Sequence, residues 1–175
     1  MIGNKSILLE FKKRKSTVDR ILKWKDRAEE EKDIINKFIF RWISFNGLYS
    51  SLYDVIHMDE KAVRVREIDV VKEFCREFIE TDNILASKIY SKERAEVFKE
   101  SIKERSGLTG ECLDNLESKE SIELKAKCIV NIAYIIRCRL FHGKKSPLLE
   151  VNKEVASVAD QVIQSILVHL LYRGH

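Results

Sequence analysis

The chain has 175 residues, 45% of them hydrophobic and 34% charged, with one Pro and six Gly. That balance suits a single soluble domain and excludes a disordered, collagen-like or turn-rich all-β chain. Thirty-two basic against twenty-eight acidic residues leave a formal +4, too little to assign a nucleic-acid binder from net charge alone.

Over residues 1–15, charges flank a very short Ile7-Leu8-Leu9 with no small-residue cleavage site, which reads against a secretory signal and for a cytoplasmic protein. The basic run Lys12, Lys13, Arg14 and Lys15, continued by Arg20, Lys23, Lys25 and Arg27, reads first as a solvated helix face. Ser16-Thr17-Val18-Asp19 resembles a helix start, with a capping hydroxyl and an acid three residues on. From Ile34, apolar residues recur at the helical period through Ile35, Phe38, Trp42, Phe45, Tyr49 and Leu52. The pattern predicts further helices over 61–81, 84–105 and 121–140, and a closing one with Val151, Val155, Val158, Val162, Ile166 and Leu170 on one face. The stretch 108–119 is the hardest to place and reads as a short extra helix. No period-2 strand of useful length and no internal repeat is present. No apolar run approaches the roughly 20 residues that span a bilayer, so no membrane association is expected. Cys75, Cys112, Cys128 and Cys138 form no C-x-x-C pair and are expected as reduced, partly buried packing residues.

The helix over 121–140 carries two apolar stripes. Ile122, Ala126, Ile129, Ala133, Ile136 and Leu140 form one; Leu124, Cys128, Asn131, Ile135, Cys138 and His142 form the other, on roughly the opposite side. A helix apolar on two sides is either central in its own bundle or buried against another chain. Asn131 and His142 in the second stripe suit a partly polar subunit interface. The pattern allows both.

At the end of that helix stands Arg137-Cys138-Arg139-Leu140-Phe141-His142-Gly143-Lys144-Lys145-Ser146-Pro147. A guanidinium pairs bidentately with phosphate, and an imidazole moves a proton near neutral pH. Together they suffice for metal-free cleavage of RNA: the imidazole takes the proton of the 2′-OH, and the Arg stabilises charge on the phosphorane-like transition state. The bland reading is an Arg and a His decorating a helix terminus, where positive charge suits the macrodipole.

This string resembles the signature of the HEPN superfamily (higher eukaryotes and prokaryotes nucleotide-binding). Arg41-Trp42-Ile43-Ser44-Phe45-Asn46-Gly47-Leu48-Tyr49 is similar to the family's early helix, in which an aromatic-rich segment with Phe-Asn precedes a small residue. The order of the two motifs also matches, and the resemblance spans residues 34–171. It implies an all-α, HEPN-like bundle of four to five main helices with extra short ones. Residues 1–175 would be one domain, with 1–33 a basic N-terminal helical extension and 34–171 the core bundle. The implied protein is a homodimer that cuts single-stranded RNA without metal or other cofactor at an Arg/His site on the dimer interface. Toxin–antitoxin, antiviral or RNA-processing service is the implied setting, with an antitoxin or a nucleotidyltransferase as partner.

Carried over by residue, Arg137 binds phosphate and His142 is the catalytic base or acid. Asn46 is a polar support nearby, and Arg139, Lys144 and Lys145 lie along the RNA backbone. Cys138 stands where the family often has Asn, Asp or His. Lys144 stands where a subgroup has a Tyr modified by its antitoxin, so that regulation is not implied. The rival expectations are a non-catalytic HEPN-type binding module and a helical interaction protein whose basic helix end does nothing chemical. His57 falls in a turn and His169 on an apolar face, where a packed histidine is expected. Trp24 reads as an ordinary packing residue.

Overall fold

The computed structural model describes residues 4–58, 60, 64–102, 107–143 and 149–172. The chain is all-α, and no strand occurs among the described residues. The helices are α1 (Asn4–Lys13), α2 (Lys15–Glu30), α3 (Ile34–Ile56), α4 (Glu67–Phe74, running on into a π-helical turn at Cys75–Ile79), α5 (Asn83–Ile89), α6 (Lys92–Ser101), α7 (Gly107–Glu117), α8 (Ile122–Phe141) and α9 (Glu150–Tyr172).

Several boundaries differ from those the periodicity predicts, each for a local reason. α2 starts at Lys15 behind Arg14, which makes no side-chain cap, so Ser16 lies inside the first turn rather than capping it. The helix expected over 61–81 begins at Glu67 and loosens into the π turn, ending at Ile79. The helix expected over 84–105 is two. Tyr90 and Ser91 go extended, and the Ser91 side chain accepts from the backbone N–H of Arg94 to start α6. Asp33, Asp82 and Ser121 cap α3, α5 and α8 in the same way, at 2.9, 3.0 and 3.3 Å. Where the short extra helix is expected, α7 runs for 11 residues.

α3 packs against α2 and α9, and α8 packs against α5, α7 and α9. The first close approach depends on Gly47. A Cβ there would stand 2.9 Å from Cγ1 of Ile21, and Ser44 donates its hydroxyl to the Ile21 carbonyl at 2.8 Å. Ile7, Leu8, Phe11 and Ile21 belong to the same apolar core as α3, α8 and α9, so the basic N-terminal segment contributes buried side chains as well as charge. Trp24 packs on Phe40, ring centroids 5.8 Å apart. Between α3 and α9 lies a buried ion pair. Arg41, fully buried, donates Nε to Asp160 at 2.6 Å and Nη1 to Glu29 of α2 at 2.9 Å.

Both stripes of α8 are used inside the chain. Ala126, Ile129, Ala133 and Ile136 are buried, and so are Cys128 and Asn131 of the second stripe, which line a cavity shared with α7. α8 is therefore central in its own bundle over that stretch. The two ends of the second stripe, half-buried Leu124 above and half-buried Ile135 and Cys138 with exposed His142 below, stay at the surface. By length and composition α9 is apolar enough to cross a membrane, which the run-length reading of the sequence did not register. Of the stripe expected on it, Val155, Val162, Ile166 and Leu170 are buried in the bundle, whereas Val158 is half-buried and Val151, in its first turn, is exposed.

Candidate functional site

Three elements converge at the C-terminal end of α8. Arg137 lies on its last turn but one, α3 supplies Trp42, Asn46 and Tyr49 from one face, and α4 supplies Glu67 from its first position. A carboxylate suits that place, since the positive end of the helix dipole lies there. Arg137 donates Nη1 to Glu67 Oε2 at 3.0 Å. The other oxygen of Glu67 accepts from the Tyr49 hydroxyl at 2.6 Å and from Asn46 Nδ2 at 3.0 Å, while Asn46 Nδ2 also reaches the Tyr49 oxygen at 2.8 Å. The guanidinium lies 4.7 Å from the ring centre of Phe141 and 6.0 Å from that of Trp42. Its Nε is buried without a hydrogen-bond partner.

The electrostatics follow from this packing. Burial opposes the charge on Arg137, yet contact with Cys138 and the Glu67 carboxylate hold its pKa above the usual arginine value. Burial, and then the bond to Glu67, push the Tyr49 hydroxyl far above the usual tyrosine range, so it keeps its proton and donates it to Glu67 while accepting from Asn46. Tyr134 is likewise raised, by burial and by its hydrogen bond to Cys138.

Asn46 therefore lies near Arg137, but it acts on it through Glu67. Glu67 and Tyr49 were not singled out in the sequence. Tyr49 at i+3 from Asn46 on the same helix face was a usable signal, whereas nothing local connects Glu67 to a residue 70 positions later. His142 is the C-cap of α8, its backbone N–H bonded to the Cys138 carbonyl at 3.0 Å, and Gly143 follows at φ +65°, a left-handed turn that suits glycine. The His142 side chain is exposed, and among the described residues its imidazole joins neither Arg137 nor Glu67. Arg139, half-buried, is two positions from Arg137 and so about 200° round the helix from it. Lys144 and Lys145 lie outside the described residues. Among the described residues, no group of three or more His, Cys, Asp or Glu side chains is placed to hold a metal ion.

The other two described histidines pair with carboxylates. His57 bridges Glu60 at 2.9 Å and Glu73 at 3.0 Å. His169 pairs with Asp82 at 3.0 Å between α9 and the start of α5. Compared with family models, with curated proteins and with solved structures, the chain finds no match.

Proposed function

We propose that the protein is a HEPN-type, metal-independent endoribonuclease that cuts single-stranded RNA with Arg137 and His142. The observation that carries the reading is the pairing of two kinds of group at one helix end. A guanidinium is held in a fixed orientation by Glu67 and two aromatic rings, and an exposed imidazole follows five residues later. Arg137 would neutralise a non-bridging phosphate oxygen, with its charge held on whatever the pH of the assay. His142 would take the proton of the 2′-hydroxyl as that oxygen attacks phosphorus. The 5′-oxygen then departs, protonated by water, leaving a 2′,3′-cyclic phosphate. Because the two side chains do not meet within one chain, the working site on this reading is completed by a second copy.

A non-catalytic HEPN-type module that binds RNA or a protein partner is the second reading, and the Arg137–Glu67 pair favours it by neutralising the guanidinium. One assay separates them. Purified protein is incubated with mixed single-stranded RNA, with and without EDTA, beside His142→Ala. The nuclease reading expects EDTA-resistant cleavage that falls about 10²–10⁴-fold in the variant while its helicity and melting are kept. RNA bound but left whole by the wild type would establish the second reading. Cleavage abolished by EDTA would overturn the first.

A further inference from the structure

Between α4, α7 and α8 lies a cavity of about 160 Å³, apart from the Arg137 site. Lys72 and Glu111, both exposed, set its mouth at the surface, and Cys112, Asn115, Cys128 and Asn131 line it. The two thiols come from different helices, line the same cavity and lie close enough to influence each other's ionisation. Asn131 is only 2% exposed, and its side-chain oxygen has no hydrogen-bond partner. A buried acceptor left unmatched beside an open volume is unusual, because such a group costs about 1–3 kcal/mol unless something donates to it. A space of this size takes a few waters, or a polar molecule of similar size with an O–H to give.

We propose that Cys112 and Cys128 form a peroxide-reactive dithiol, with Asn131 holding the incoming hydroperoxide by accepting its O–H. The chemistry is divided between the two sulfurs. Interaction with Cys112, helped by Asn115 and the charge of Lys127, outweighs burial and Glu111 and makes Cys128 ionise more easily than an ordinary thiol, while Cys128 and burial keep the proton on Cys112. The Cys128 thiolate attacks the nearer oxygen of hydrogen peroxide. The O–O bond breaks, hydroxide leaves and takes up a proton as water, and Cys128 becomes a sulfenic acid. The Cys112 sulfur then attacks that sulfur, and a second water is released as the disulfide forms. Two thiols lose two electrons in all, and one peroxide gains them. The S–S bond of about 2.05 Å would clamp α7 to α8, the helix on which α7 chiefly packs.

The other cysteines provide the controls. Cys75 is fully buried, and burial pushes its thiol well above the usual range. Cys138 is the more exposed thiol, so it would oxidise first if access alone governed the rate. The test treats reduced wild-type protein with a slight molar excess of hydrogen peroxide and follows it by intact mass and non-reducing peptide mapping. The expected product is 2 Da lighter, with one Cys112–Cys128 cross-link formed before Cys138 is modified. In Cys112→Ser the sulfenic acid should persist on Cys128 and be trapped by dimedone. Asn131→Leu should slow the reaction about fivefold, the worth of one hydrogen bond. Oxidation that begins at Cys138, or a wild-type protein that leaves Cys112 and Cys128 unlinked, overturns the proposal without bearing on the Arg137 site.

Discussion

Glu67 decides how much of Arg137's charge a ligand can use. Its carboxylate accepts from Arg137, Tyr49 and Asn46 at once, so it orients the guanidinium and competes with any phosphate for it. Glu67→Gln keeps an acceptor for Tyr49 and removes the competing charge. The pair is partly exposed, where such an ion pair is worth about 1 kcal/mol or less. Affinity for a single-stranded RNA oligonucleotide, read by fluorescence anisotropy, should therefore rise by up to about fivefold, and Arg137→Ala should weaken it. Weaker binding by Glu67→Gln would mean that orientation matters more than competition. His57 gives a residue-scale test that does not depend on function. Burial works against its protonation, but the carboxylates of Glu60 and Glu73 outweigh it and raise its pKa. A raised value means that the folded state holds the proton more tightly than the unfolded chain does. The stabilisation is complete below the unfolded value of about 6.5 and is lost as pH climbs through the folded one. Melting curves of His57→Ala against wild type should thus differ most near pH 6 and converge toward pH 9. A gap that widens with pH would have the sign wrong.

Arg41 joins three helices through exposed Glu29 and buried Asp160, and the cost of breaking the buried half of that join differs from the cost of replacing it. Arg41→Met alone leaves the Asp160 carboxylate buried without its partner and should destabilise by about 3–5 kcal/mol. Arg41→Met with Asp160→Leu removes both charges, so denaturant midpoints should show the pair costing much less than the sum of the singles; additivity would mean that the ion pair is not coupled. The sequence marks Arg41 only as the first residue of an aromatic-rich segment, because periodicity records that a polar residue falls on an apolar face without saying what meets it. The long helices α3, α8 and α9 were legible for the converse reason: over about six turns the apolar repeat outweighs any single residue. Short elements follow local chemistry instead. The Tyr90–Ser91 break hangs on one serine cap, and the π turn at Cys75–Ile79 has no sequence sign of its own. The site divided in the same way. Arg137, His142 and Asn46 stood out through motif spacing, whereas Glu67 becomes visible only when α4 is laid beside α8.

At the scale of the molecule, the separation of Arg137 from His142 becomes an argument about copies. Five residues of α-helix turn the chain through 500°, leaving the two side chains about 140° apart, and α8 stays helical through Phe141. The turn at Gly143 comes one residue too late to bring His142 back. Close to it in the chain, Phe141, Leu149 and Val151 are apolar side chains each about half exposed, at 52%, 56% and 45%. A two-fold axis near this end would set Arg137 of one protomer against His142 of its partner, since an isologous contact brings matching patches together. On the proposed reading, Arg137→Ala and His142→Ala proteins are each inactive. Mixed under conditions that let subunits exchange, they would form dimers in which one Arg137 and one His142 still face each other across the axis, and RNA cleavage should return. A site built within one chain leaves no intact pair in any mixed dimer, so that mixture would stay inactive. Native mass spectrometry of the same sample shows whether mixed dimers are present. Inactivity in a sample that contains them rules out the shared site, and a wild-type protein that remains monomeric at the assay concentration rules it out sooner.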